Sequence, residues 1–300
     1  MIYLNAQVVN SSFNDDTFWR WIHRELPNDT IIAPPPDELN PEDVVLHYST
    51  MGTPKHPEHT IALLWELYPD MKDKLGSNVW DYILDEIDKC KTAARKTVTT
   101  DLMRPYYAEF GLIHKLPIGI DTDLFKPAVD KNALRAKYGI PLGASVGFYC
   151  GTSHPMKGAD LAKQYFVEHP DVFPLLVWKS PYERYPISGG KQFCAIQQSQ
   201  LAELMGCSDF FLCCGRLLPF FLVEWEALAA NLPAVVIGGV GRDFVPGQNP
   251  RDQIFDKGWD RDSALVTWID YINDLIDDNT DGEGPFIDGG SQKIKKVKDA

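Results

Sequence analysis

At 300 residues the chain is long for one compact core, and a composition of 44% hydrophobic and 12% aromatic residues excludes a disordered protein and suits two globular domains. The net charge of −13, carried by both halves, works against capture of nucleic acid or an anionic membrane surface, while leaving room for a local basic pocket. The six cysteines lack the density and spacing of a disulfide framework or zinc site, and the sequence offers neither a signal peptide nor a run of ~20 apolar residues, so a cytoplasmic protein with reduced thiols and no membrane span is expected.

In chain order, IYLNAQVV (2–9) is a short apolar run stopped by Asn and Ser, which reads as a buried strand. Asn14, Asp15 and Asp16 offer N-caps to a helix through TFWRWIHREL, closed by Pro27. TIIAPPP is a second strand stopped by prolines. PEDVVLHYST holds a third, in which Val44, Val45 and Leu46 suit a strand covered on both faces. HTIALLWELY and VWDYILDEIDKC read as helices by their period, the latter through Val79, Ile83, Ile87 and Cys90. KTVTT reads as a strand and LMRPYYAEFG as a short element.

After Pro127 the alternation restarts. ASVGFYCG, FPLLVWKS, DFFLCC and PAVVIGG read as strands, separated by helices in KGADLAKQYFVEH, SQLAELMGC and LVEWEALAANL. DSALVTWIDYINDLIDD reads as a final helix, and KIKKVK (293–298) as a solvated end. Strand and helix in alternation imply parallel sheets with helices on both faces. The expected architecture is therefore α/β, with two Rossmann-like doubly wound units joined near residue 130.

Three stretches carry chemistry. In LPIGIDTDLFKP (116–127), Gly119 permits a backbone angle closed to other residues and Asp121 can bond its own turn. GFYCGTSHPMKGADL (147–161) is a strand, a Gly-bearing turn and a helix start, the shape that offers backbone N–H groups and a helix dipole to a phosphate. Lys157 adds a compact positive charge at the same place, and also reads as a surface lysine at a helix start. In CGRLLPFFLVEWEALAANLPAVV (214–236), Glu226 is a carboxylate on an apolar helix, costly unless it has a partner, and suited to accept two hydroxyls. Glu224 lies on a different face and reads as solvent-facing.

Together these stretches resemble glycosyltransferase family 4, the retaining two-Rossmann (GT-B) transferases that use nucleotide sugars. Pro117, Gly119, Asp121, Thr122, Phe125 and Pro127 fit the segment that closes the first domain, and residues 147–161 and 214–236 fit the donor site. The resemblance implies two domains facing each other across a cleft. Residues 1–130 would form a short acceptor domain, 131–270 the nucleotide-sugar domain, and 271–300 a helix and tail packing back toward the first. It implies donor contacts from Gly151, Thr152, His154, Lys157, Arg216, Val223 and Glu226, with Glu226 taking the ribose hydroxyls. Lys157, with Arg216, would stabilise the departing diphosphate, and His47 would approach the transferred sugar. Arg216 also reads as a rim arginine and His47 as a structural histidine. Gly238, Gly239 and Gly241 would let the backbone approach the sugar and diphosphate.

Departures from the pattern are specific. Thr152 stands where an arginine is usual, Leu218 where the first glutamate contacts the transferred sugar, and Phe221 where glycine is usual. The implied activity is transfer of a hexosyl or pentosyl group from a nucleoside diphosphate sugar (UDP- or GDP-linked) with retention of configuration. The acceptor would be a glycan, lipid or other small molecule, with no further cofactor and no essential metal; DTD (121–123) and DRD (260–262) read as turn and cap residues. The alternatives are a GT-B protein that binds a nucleotide sugar without transferring it, and a viral-type transferase acting on DNA bases, which the acidic charge disfavours.

Overall fold

The computed structural model describes residues 1–5, 14–49, 52–64, 85, 87–216, 221–238 and 243–281. The chain divides into two compact units: Met1–Gly119 together with the chain from Asp262 onward, and Ile120–Arg261.

Unit 1 holds a six-stranded parallel sheet of β1 (Ile2–Asn5), β2 (Thr30–Ile31), β3 (Val44–Tyr48), β4 (Thr60–Leu63), β5 (Arg95–Val98) and β6 (His114–Lys115), in the order β2-β1-β3-β4-β5-β6. Every residue of β3 and β4 is buried, as a central strand covered on both faces requires. β4 differs from expectation, since HTIALLWELY reads as a helix by its period. Its run of consecutive apolar residues also fits a strand buried on both faces, and Thr60–Leu63 lies between β3 and β5. Of the strand expected over 2–9, residues 6–9 lie outside the described residues, as do 65–84 and 86, which hold most of the helix expected in VWDYILDEIDKC.

The helix Asn14–Glu25 buries Phe18, Trp19, Trp21 and Ile22, and the Phe18 ring lies 5.4 Å from that of Trp268. Trp268 sits on the last helix, Arg261–Asp281, and its Nε1 donates to the carbonyl of Pro117 at 2.8 Å. Arg95 on β5 fastens the same helix by donating to the Tyr271 carbonyl at 2.9 Å and to Asp278. The chain from Asp262 thus belongs to unit 1, where the sequence placed the change at 271.

Unit 2 holds a five-stranded parallel sheet of β7 (Ser145–Gly151), β8 (Val172–Trp178), β9 (Lys191–Cys194), β10 (Phe210–Cys213) and β11 (Ala234–Val236), in the order β11-β10-β7-β8-β9. It begins at Ile120, ten residues before the expected junction at 130, because the segment after Gly119 is fastened inside it. Ile120 donates to the Trp259 carbonyl at 2.8 Å and accepts from the Arg261 amide at 3.2 Å. The Asp121 carboxylate accepts from the Leu124 amide at 2.9 Å, and Arg251 donates to the carbonyls of Thr122 (3.0 Å) and Phe125 (2.9 Å).

Candidate functional site

The strand order of unit 2 fixes where a ligand can enter. The chain runs outward from β7 through β8 to β9, then crosses back to place β10 on the other side of β7. Crossovers on opposite faces leave a crevice at the carboxyl ends of β7 and β10, the position at which open α/β sheets bind ligands. Residues 152–158 follow β7, and Cys214–Arg216 follow β10, so two of the three motif stretches meet at this switch point.

The turn after β7 is tightly built. A side chain on Gly151 would put its Cβ 2.5 Å from the Tyr149 hydroxyl, which folds beneath the turn and donates to the Lys157 carbonyl at 3.0 Å. The Thr152 hydroxyl accepts from the amide of the exposed His154 at 3.2 Å. Pro155–Lys157 form a single 3-10 turn, after which Gly158 caps the helix Ala159–Glu168 in the left-handed region, with φ of 68°. A Cβ at Gly158 would lie 2.0 Å from the Cys214 carbonyl oxygen. Glycine there serves both the backbone angle and the approach of the β10 loop.

Arg216 is engaged with this turn. Its Nη1 donates to the Pro155 carbonyl at 2.7 Å and to Asp160 at 2.8 Å, and its Nη2 completes a forked pair with Asp160. The Arg216 guanidinium holds the Asp160 carboxyl below its usual range, with help from the amides of Asp160 and Leu161. The geometry gives Arg216 a structural bond to the turn, where the sequence offered it to the diphosphate. The Lys157 ammonium lies 4.0 Å from the centroid of the Phe221 ring.

Glu226 lies in the helix Leu222–Ala229 and is only 4% exposed. Burial raises its carboxyl to about 8; Arg261 opposes the rise and Asp121 adds to it. Arg261 and Asp121 are themselves an ion pair. Because Asp121 already offsets the Arg261 charge, burial prevails and the neutral carboxyl is favoured. Glu224 differs from expectation. It is 3% exposed, because this short helix is buried nearly all round, and only Val223 among its first residues is half-buried. A two-residue offset on a helix turns a side chain by ~200°, which reaches solvent only if one face is open.

Cys150 lies at the end of β7, beside Gly151, and sequence reasoning did not single it out. Burial pushes its thiol up to about 12, with the Glu226 carboxylate raising it further and the Lys157 ammonium opposing. The signal available in sequence was the position of Cys150 next to the strand-ending Gly151.

His47 lies in unit 1, at the switch point between β1 and β3, and is 1% exposed. Its Nδ1 accepts from the Asn5 amide at 2.9 Å, which leaves Nε2–H to donate to the Gly52 carbonyl at 3.0 Å. Both ring nitrogens are thus engaged within unit 1, where the family resemblance implied a sugar contact. Leu218, Gly239 and Gly241 lie outside the described residues. Among the described residues, no group of three or more His, Cys, Asp or Glu is placed to hold a metal ion, and no helix is long and apolar enough to cross a membrane.

No protein-family model matches the chain. A curated relative, D-inositol 3-phosphate glycosyltransferase of Xylanimonas cellulosilytica, is 28% identical over 130 residues, covering 41% of this chain and 31% of that protein. The chain thus matches about a third of this relative's length. Among solved structures, WaaG, a glycosyltransferase involved in lipopolysaccharide biosynthesis, is similar with a TM-score of 0.62 at 13% identity, over 94% of this chain and 100% of that one. HepE of Anabaena, solved in complex with UDP-glucose, is similar with a TM-score of 0.62 at 14% identity, over 93% of this chain and 99% of that one. At these identities the likeness is one of fold. The two parallel α/β units are those of the GT-B fold.

Proposed function

We propose that this chain is a glycosyltransferase that moves a sugar from a nucleoside diphosphate sugar to an acceptor, with unit 2 holding the donor. One arrangement carries the reading: at the switch point of unit 2 the turn after β7 packs against the loop after β10, and the Lys157 ammonium lies 4.0 Å from the ring of Phe221, the N-cap of the helix that holds Glu226. A cation and a hydroxyl acceptor at one strand end match the two polar parts of a nucleoside diphosphate, its charged phosphates and its ribose. Lys157 would meet the negative charge that develops as the diphosphate leaves, and the backbone of the Gly151–Gly158 turn would lie along it. Glu226 would accept the ribose hydroxyls. Arg216 would hold the turn in place through Asp160 and Pro155, and His47 would fasten the carboxyl ends of β1 and β3. The UDP-glucose complex of HepE supports a nucleotide-sugar donor as the class to test first.

Retention of configuration, turnover without a divalent metal and a cytoplasmic location belong to the same proposal. The test is a thermal-shift screen across UDP, GDP, ADP and dTDP sugars, since a ligand that binds the folded state raises the melting temperature by mass action. One sugar nucleotide should raise it, and turnover of that donor should survive EDTA and give product of retained anomeric configuration by NMR. A second reading, binding without transfer, draws support from Phe221, whose ring lies against Lys157 at a position where glycine is usual in the resembled family. A donor that raises the melting temperature but is neither hydrolysed nor transferred would favour it. No shift with any sugar nucleotide would overturn both.

A further inference from the structure

Phe221 occupies the N-cap position of the helix Leu222–Ala229 in extended backbone (φ −125°, ψ 124°), and its side chain makes no capping bond. A hydrogen-bonding residue would serve that position better, so the ring has another use. It packs onto Gly215 so closely that a Cβ there would lie 1.8 Å from the ring edge, and the residue is 7% exposed. The Lys157 ammonium stands 4.0 Å from the ring centroid, within cation–π range.

We infer that the Gly215–Phe221 stack is a positioning device for Lys157, fixing the ammonium where an anionic diphosphate would meet it. This rests on the donor-site reading above. Lysine carries its charge on a flexible four-carbon stem, and ordering that stem costs binding energy unless it is already held. A carboxylate can hold a cation only by offsetting its charge, as Asp160 does for Arg216. An aromatic face attracts the ammonium through its quadrupole and does not neutralise it. Burial strengthens that attraction, because little water competes for the ring. Phe221 need not touch the ligand. It acts through Lys157, and Gly215 acts through Phe221.

The experiment is titration calorimetry of UDP and GDP, with uridine and guanosine as controls that lack phosphate. It compares wild type with Lys157→Ala, Phe221→Leu, Phe221→Tyr, Gly215→Ala and the double variant Lys157→Ala/Phe221→Leu. Phe221→Leu should weaken the nucleoside diphosphate about 3- to 30-fold and leave the nucleoside unchanged. Phe221→Tyr, which keeps the π face, should bind as wild type within about twofold. Gly215→Ala should reproduce Phe221→Leu by displacing the ring, and adding Phe221→Leu to Lys157→Ala should cost nothing more. The inference is overturned if Phe221→Leu weakens nucleoside and diphosphate equally, if it adds to Lys157→Ala, or if it changes nothing while Lys157→Ala weakens the diphosphate. Failure of the donor-site reading looks different: wild type then binds neither diphosphate, or binds one that Lys157→Ala does not weaken. Gly215→Ala supplies the answer should Phe221→Leu fail to fold.

Discussion

Arg216 and Asp160 stand 56 positions apart and form a forked pair that joins the loop after β10 to the first turn of the helix after β7. The fork, with the bond to the Pro155 carbonyl, ties the two sides of the switch point together. Both side chains are more than a third exposed to water, 34% and 44%, so screening limits what the ion pair contributes.

Arg216→Lys keeps the charge but loses the fork. Urea unfolding should show a loss of about 1 kcal/mol, larger at low salt. Asp160, whose carboxyl is depressed, contributes its share above the ordinary carboxylate range and loses it as the pH falls through the folded value. Diphosphate affinity should fall less than in Lys157→Ala. If Arg216→Lys instead matches Lys157→Ala in affinity with stability unchanged, the guanidinium acts on the ligand directly.

His47→Ala removes two hydrogen bonds from a residue with both ring nitrogens engaged. It leaves the Gly52 carbonyl and the Asn5 amide without their partner. The expected loss is about 2–3 kcal/mol in denaturant unfolding, within the range for breaking a buried polar network. Nucleoside diphosphate affinity should not change, because the donor residues proposed above lie in unit 2. An unchanged midpoint with altered donor turnover would restore His47 to the chemistry.

Much of the fold was legible because strand and helix alternate with their own punctuation. The helix Lys131–Tyr138 went unread although its ends are marked in sequence: Asp130 caps it by accepting from the Ala133 amide at 2.8 Å, and Gly139 closes it with φ of 61°. β9 (Lys191–Cys194) is a half-exposed edge strand with one clearly apolar side chain, Phe193, so no period announces it. Gly151, Lys157 and Glu226 stand out in the sequence because each sits at a strand or helix position where its chemistry is unusual. The engagement of Arg216 does not. Asp160 lies 56 residues away on another element, and only the strand order brings the two together.

Glu226 makes stability depend on pH in a defined direction. Its folded carboxyl lies at about 8 against 4.5 in the unfolded chain, raised chiefly by burial. Below 4.5 both states hold the proton and the fold is unpenalised. As the pH rises to 8 the unfolded chain ionises first, and stability falls by up to about 1.4 kcal/mol per pH unit. Glu226→Gln removes a titrating group of nearly the same shape. The wild-type melting temperature should decline across this window more steeply than that of Glu226→Gln, when both are followed by calorimetry in matched buffers. Parallel profiles would mean that Glu226 is ionised in the folded protein.

The same carboxyl should announce nucleotide binding by releasing a proton. At neutral pH the ligand-free protein holds Glu226 largely protonated, since its carboxyl is raised to about 8. Ribose hydroxyls donate best to a carboxylate, which is acceptor-only, so binding should favour the ionised form. Affinity for a nucleoside should then rise with pH toward 8 and level off above it. Near neutrality the calorimetric enthalpy should depend on the ionisation enthalpy of the buffer, with a slope approaching one proton released. Glu226→Ala should weaken nucleoside and nucleoside diphosphate alike, about 10- to 100-fold, the range for hydrogen bonds to a charged group. It should also abolish the buffer dependence, whereas Lys157→Ala should weaken the diphosphate alone and leave the proton release intact. That crossed pattern separates the ribose end of the site from the phosphate end. If Glu226→Ala binds nucleosides as wild type does, and no proton is released in any buffer, Glu226 is a buried structural acid and the ribose must lie elsewhere.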